Sequence, residues 1–136
     1  MELDQQLVVG IQLFFAAFLS MVVGLDRERA EKDAGMRTHM LVGTGACLFT
    51  SLSELAFPEA DTARIASNIV VGIGFLGAGV IHRTDKGVQD LTTAASIWIT
   101  AAIGMAVGTG AWLLATMATL LVWTILRILL AFRNRI

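Results

Sequence analysis

The chain has 136 residues, 56% of them hydrophobic, with a single proline, a mean hydropathy of +0.74 and a formal net charge of −1. That composition is too apolar for an ordinary soluble domain, and the near-neutral balance, held in short loops, offers no basic face for DNA or RNA. One cysteine, Cys47, excludes an intrachain disulfide and leaves too few partners for a metal cluster.

The first uncharged run predicts a membrane helix over about 6–25. Glu2 and Asp4 precede it, not Lys or Arg, and no small-residue cleavage site follows, so it reads as a retained span and not a signal peptide. The segment behind it carries Asp26, Arg27, Glu28, Arg29, Glu31, Lys32, Asp33 and Arg37. Acids and bases alternate there, which suits a salt-bridged helix extension or docking surface better than a trap for magnesium, a cation that needs several oxygens. A second span is expected over 39–57, weakened near one end by Glu54 and carrying Cys47 as a small packing residue.

The third span, 65–82, contains Gly72, Gly74 and Gly77 in the G-x-G-x-x-G spacing of a dinucleotide-binding loop, with Asp90 eighteen residues after Gly72. The charged turn His82–Gly87 cuts off the helix that such a loop must open, so the motif reads as membrane-helix packing, where absent side chains let backbones approach. Gly79 belongs to the same set. Asn68 is the amide singled out inside this span; its default role is hydrogen bonding between helices, and ion or partner recognition is the sharper alternative.

From Leu91 to Leu126 the sequence has no charge at all, long enough for two spans, 91–108 and 111–131, with a tight turn at Gly108–Gly110. Thr92, Ser96, Thr100, Gly104 and Gly108 recur every fourth residue, and Ser20/Gly24 and Gly43/Cys47 repeat the spacing, so tight helix contacts are expected with spans 3 and 4 at the centre. The stripe serves packing within the chain or a homodimer seam. Trp112 suits an interfacial belt, whereas Trp98 and Trp123 suit packing.

The expected fold is therefore an all-α integral membrane protein, one domain of five helices in the lipid bilayer. With five spans, nine of the ten Lys and Arg residues, including Arg127, Arg133 and Arg135 of a basic tail, fall on one side and Arg64 alone on the other, placing the N-terminus outside and the C-terminus in the cytoplasm.

Four stretches, GLDRE (Gly24–Glu28), GMRTHMLV (Gly35–Val42), GIGFLGAGVI (Gly72–Ile81) and LTTAASIWITAAIG (Leu91–Gly104), together resemble the membrane domain of the MgtC/SapB family of bacterial inner-membrane proteins. The resemblance covers about residues 10 to 125. It implies a small inner-membrane protein linked to survival at low magnesium and within host cells, acting through a membrane complex such as the ATP synthase. Longer members add a soluble C-terminal domain, and the resemblance, confined to the membrane domain, implies a short form without it.

The polar ends of the spans converge on a candidate collar: Asp26, Arg27 and Glu28; Arg37 and His39; Arg83; Asp90, Thr92 and Thr93. Asp26 and Glu28 are expected to pair with Arg37 or Arg83, and Asp90 or Thr92 to cap span 4. Structural pairing and a ligand or ion site both remain open for this collar. His39 and His82, lone histidines at helix ends, read as polar caps, with a sensor of cytoplasmic acidity as the alternative. No catalytic set, cofactor or metal site is expected. No charge lies at the centre of a span, which favours a regulatory protein over an ion channel or transporter, the second reading.

Overall fold

The structure, a computed structural model, describes residues 1–133. Five helices follow in order: α1 (Leu3–Arg29), α2 (Met36–Leu55), α3 (Thr62–Val80), α4 (Leu91–Gly108) and α5 (Trp112–Arg133). Arg135, assigned to the basic tail, lies outside the described residues. The expected all-α membrane bundle is what forms. The one addition is a small antiparallel hairpin, β1 (His82–Thr84) and β2 (Gly87–Gln89), in the charged turn between α3 and α4. Gly87 supplies the positive φ of 114° that closes it.

Helix ends follow local chemistry. Gln5 accepts the Glu2 N–H at 2.9 Å at the start of α1, and Asp61 accepts the Ala63 N–H at 3.0 Å at the start of α3. At 27 residues α1 is roughly 40 Å long, more than a hydrocarbon core of about 30 Å, so Asp26–Arg29 remain helical while reaching the membrane edge.

The bundle is apolar outside and partly polar within. Phe14 and Phe75 are 82% and 81% exposed, as are Leu41, Leu113 and Leu121 to lesser degrees, while Ser20, Ser51, Thr93, Ser96, Thr100 and Thr119 are buried. That arrangement suits lipid as solvent, because tails solvate the outer leucines and phenylalanines and the hydroxyls must find partners inside. Thr100, Thr119 and Thr50 donate to the carbonyl one turn back, at 2.7 to 2.8 Å.

Helices α1, α3 and α4 are each long and apolar enough to cross a membrane. In α2 the hydropathy is diluted by His39, Thr50, Ser51 and Ser53, and all four are buried. The polarity of α2 is thus internal and does not disqualify it from lipid.

Helix α4 touches each of the other four, as its expected central position requires. α3 does not share that position: among its residues only Ile69 and Gly77 are buried, and it packs at the margin against α2 and α4. The second central pair is α1 and α2. Their contacts explain the small residues. A Cβ on Gly104 would collide with the Gly43 carbonyl, one on Gly108 would lie 2.8 Å from the Cys47 carbonyl oxygen, and one on Gly24 would lie 2.7 Å from Met36 Cα. Gly77 faces Ala94 at an ordinary distance. Gly72, Gly74 and Gly79 have open space where a side chain would be. The tight packing expected of these three has no partner within the chain, because the helix that carries them sits at the edge.

Candidate functional site at the charged end of the bundle

The C-terminal ends of α1, α3 and α5 meet the N-terminal ends of α2 and α4 at one end of the bundle. Here Asp26 and Arg27, 5% and 4% exposed, form the centre. Arg27 Nε lies 3.2 Å from Asp26 Oδ2, and its Nη2 closes on the same oxygen. The other carboxylate oxygen, Oδ1, lies 2.9 Å from Nε of Arg127 on α5. Asp26 therefore ties α1 to α5 while offsetting the charge of its own neighbour. Both partners expected for it, Arg37 and Arg83, are exposed and form no ion pair among the described residues.

Glu28 also has a different role from the expected ion pair. Its Oε2 accepts the Met36 N–H at 2.6 Å, capping α2 from the preceding helix. A Cβ at Gly35 would meet that carboxylate, so a side chain there would displace Glu28 from the Met36 N–H. His39, fully buried, bonds through Nδ1 to the Gly35 carbonyl at 2.8 Å and through Nε2 to Ser96 Oγ at 2.9 Å. It is a bridge between α2 and α4 and not an exposed cap.

Asp90 precedes α4 with a left-handed φ of 64°, and its carboxylate makes no cap bond. It pairs instead with Lys32 at 3.2 Å, joining the α1–α2 loop to the start of α4. His82 of the hairpin approaches Asp33 at 3.4 Å. The donor atoms of Asp33, His82 and Asp90 lie within 4.8 Å of one another, a convergence not expected from their spacing. An imidazole with two carboxylates suits a borderline divalent metal better than magnesium, and the Lys32 ammonium already occupies part of that charge.

A cavity of about 550 Å³ opens beside these pairs, lined by Arg27, Lys32, Asp90, Thr92 and Thr93, by Val88 and Gln89 of the hairpin, and by Ile125 and Leu126 of α5. Thr92 is exposed at its rim. Thr93 is buried, and its hydroxyl has no partner. Collar residues thus divide into those the fold gathers (Asp26, Arg27, Glu28, His39, Asp90, Thr92, Thr93) and those it leaves outside (Arg37, Arg83).

Two polar residues escaped the sequence reading. Arg127, expected only as an orienting charge of the tail, pairs with Asp26. Gln12, an amide inside the first span, bonds through Nε2 to the Gly108 carbonyl at 3.3 Å and accepts from Ser51 Oγ at 3.3 Å. Asn68, the amide that was singled out, is exposed on α3 and has no partner among the described residues.

The family model described as MgtC family matches residues 13–135, nearly the whole described bundle. The chain belongs to the MgtC family. It is 43% identical over 108 residues to YhiD of Escherichia coli K12, which is provisionally named a magnesium transporter; the match covers 74% of this chain and 50% of that protein. Protein MgtC of Salmonella typhimurium is 42% identical over 112 residues, covering 82% of this chain and 48% of its own length. Protein MgtC of Brucella abortus is 39% identical over 107 residues, or 79% and 45% of the two chains. The chain spans about half the length of the curated relatives it matches. No solved structure shows a significant match.

In this MgtC-family chain the stretches that carry the resemblance also meet physically. Gly24 of the first packs on Met36 of the second, Glu28 caps that same residue, His39 of the second bonds Ser96 of the fourth, and Gly77 of the third rests on Ala94 of the fourth.

Proposed function

We propose that the chain is a small multi-pass protein of the bacterial inner membrane that acts in adaptation to low magnesium or intracellular stress by contacting a larger membrane complex, such as the ATP synthase, without conducting an ion. In this reading it is not an enzyme, takes no cofactor, and has its N-terminus outside and its C-terminus in the cytoplasm. Membership of the MgtC family and the magnesium in the YhiD name support the physiological setting.

The observation that carries the mechanism is that the polar interior, the Ser20 and Thr93 hydroxyls apart, is spent on itself. Asp26 is engaged by Arg27 and Arg127, His39 by Gly35 and Ser96, and Gln12 by Ser51 and Gly108. An ion crossing lipid needs free oxygens along its path, and here the buried ones hold helices together. Contact with another membrane protein asks instead for an unpartnered helix face. The Ser96–Gly108 part of the α4 stripe is occupied inside the chain, which leaves α3, where Gly72, Gly74 and Gly79 have open space beside them and Asn68 and Gly72 line the groove towards α2, for a larger complex or a second copy.

The transporter reading draws on the YhiD name and on the convergence of Asp33, His82 and Asp90. Purified protein in liposomes distinguishes the two. The expected result is no magnesium or proton flux above protein-free vesicles, together with co-purification of a membrane complex that is lost in Asn68→Leu. Flux that disappears in Asp90→Asn would overturn the regulatory reading.

A further inference from the structure

The hairpin and the loop between α1 and α2 bring together three metal-ligating side chains that the packing of the helices does not use. Antiparallel pairing sets His82 opposite Gln89, which places the start of the hairpin beside Asp90. The Lys32–Asp90 pair draws the α1–α2 loop onto the same spot, and Asp33 is the next residue along. One imidazole nitrogen and two carboxylate oxygens, from three separate segments, thus lie within 4.8 Å of one another.

An ion pair alone does not account for the spacing. His82 Nε2 lies 3.4 Å from Asp33 Oδ2, longer than an ordinary hydrogen bond. A tetrahedral zinc ion with ligands at about 2.0–2.1 Å sets those ligands roughly 3.4 Å apart, the separation of this pair. Asp90 stands at the N-cap position of α4, yet its carboxylate caps nothing there. The Lys32 ammonium, 3.2 Å from Asp90 Oδ1, competes with a cation for that group, but its side chain is 40% exposed and its flexible stem can carry the charge into water.

We propose that Asp33, His82 and Asp90 bind a divalent transition ion of the zinc class, with water in the fourth position. An imidazole beside two carboxylates is a donor set that suits zinc, whereas magnesium takes oxygen ligands and keeps several of its waters. Asp33 and His82 are exposed, so their side chains can close on an ion without moving the helices. The ion fastens the hairpin to the α1–α2 loop and to the start of α4. It is a reversible ligand and not a group that the fold requires, because ion pairs already join these segments. The assignment goes beyond the proposed function and holds whether or not the chain conducts an ion.

Isothermal titration calorimetry of the untagged full chain in detergent, treated with a chelator and then titrated with zinc chloride or magnesium chloride, tests it. Zinc should bind at one site and more tightly than magnesium. His82→Ala and Asp33→Asn should each weaken zinc binding roughly tenfold or more, the scale on which metal sites respond to altered ligation. Both positions are exposed, so the variants fold. Lys32→Ala should tighten zinc binding by removing the competing ammonium, where a purely structural ion pair predicts no gain. Asp85→Asn, which removes an acid from the hairpin turn outside the cluster, should leave it unchanged. Zinc bound as tightly by His82→Ala as by the parent, equal losses in Asp33→Asn and Asp85→Asn, weaker binding in Lys32→Ala, or magnesium bound as tightly as zinc would each overturn the proposal.

Discussion

Asp26 and Arg27 are consecutive in α1, and consecutive helical side chains ordinarily point apart. Here both are buried, and the guanidinium folds back onto the carboxylate because neither charge could otherwise be left at the membrane edge. Removing the acid strands two arginines, one of them buried. Asp26→Ala is therefore expected to cost about 3–5 kcal/mol in detergent unfolding, the scale of a broken buried pair. Arg37→Ala, at an exposed and unpaired position, should stay within about 0.5 kcal/mol of the parent. Arg127→Ala should fall between them, since its side chain is 40% exposed. An arginine in the last turns of a terminal span reads as an orientation charge in the sequence, so its ion pair with Asp26 was not legible there. Gln12 was missed for a related reason: one amide in an apolar run has no periodicity, and its partners are Ser51 and a backbone carbonyl far along the chain.

At the scale of elements, small residues at four-residue spacing marked the helix contacts, but spacing does not say which helix is opposite. The stripe on α4 meets α2 at Gly43 and Cys47, whereas the glycines of α3 meet nothing inside the chain. Their different surroundings give opposite expectations for the same substitution. Gly104→Ala must push α2 and α4 apart at the Gly43 carbonyl and should cost about 1–3 kcal/mol. Gly74→Ala enters open space and removes a flexible residue from a helix, so stability should hold or rise by up to about 1 kcal/mol. Thermal unfolding of the two variants side by side checks this. A marked loss in Gly74→Ala would mean that α3 is packed more deeply than the bundle shows. Cys47 was legible as a packing residue: it is fully buried and unpaired.

For the whole molecule, the charge partition makes an independent prediction about orientation. In a Cys47→Ala background, Thr84→Cys in the hairpin should react with a membrane-impermeant maleimide only after the cells are permeabilised. Ala60→Cys, in the α2–α3 loop, should react in intact cells. Reversed labelling would invert the proposed topology while leaving the bundle untouched.

The sequence by itself determined that the chain is a five-helix membrane bundle, where its turns lie, and which family it resembles. Those properties depend on local hydropathy, run length and ordered motifs, all of which are written along one dimension. Only the tertiary structure decided that α1 and α2, not α3, join α4 at the centre. It also decided that Asp26 pairs with Arg27 and Arg127, that Glu28 caps α2, and that Thr93 is buried without a partner. In lipid every helix is apolar on its outer side, so hydropathy cannot rank helices by burial; which polar groups meet depends on helix rotation and neighbour choice, and these are set by close packing between segments distant in the chain.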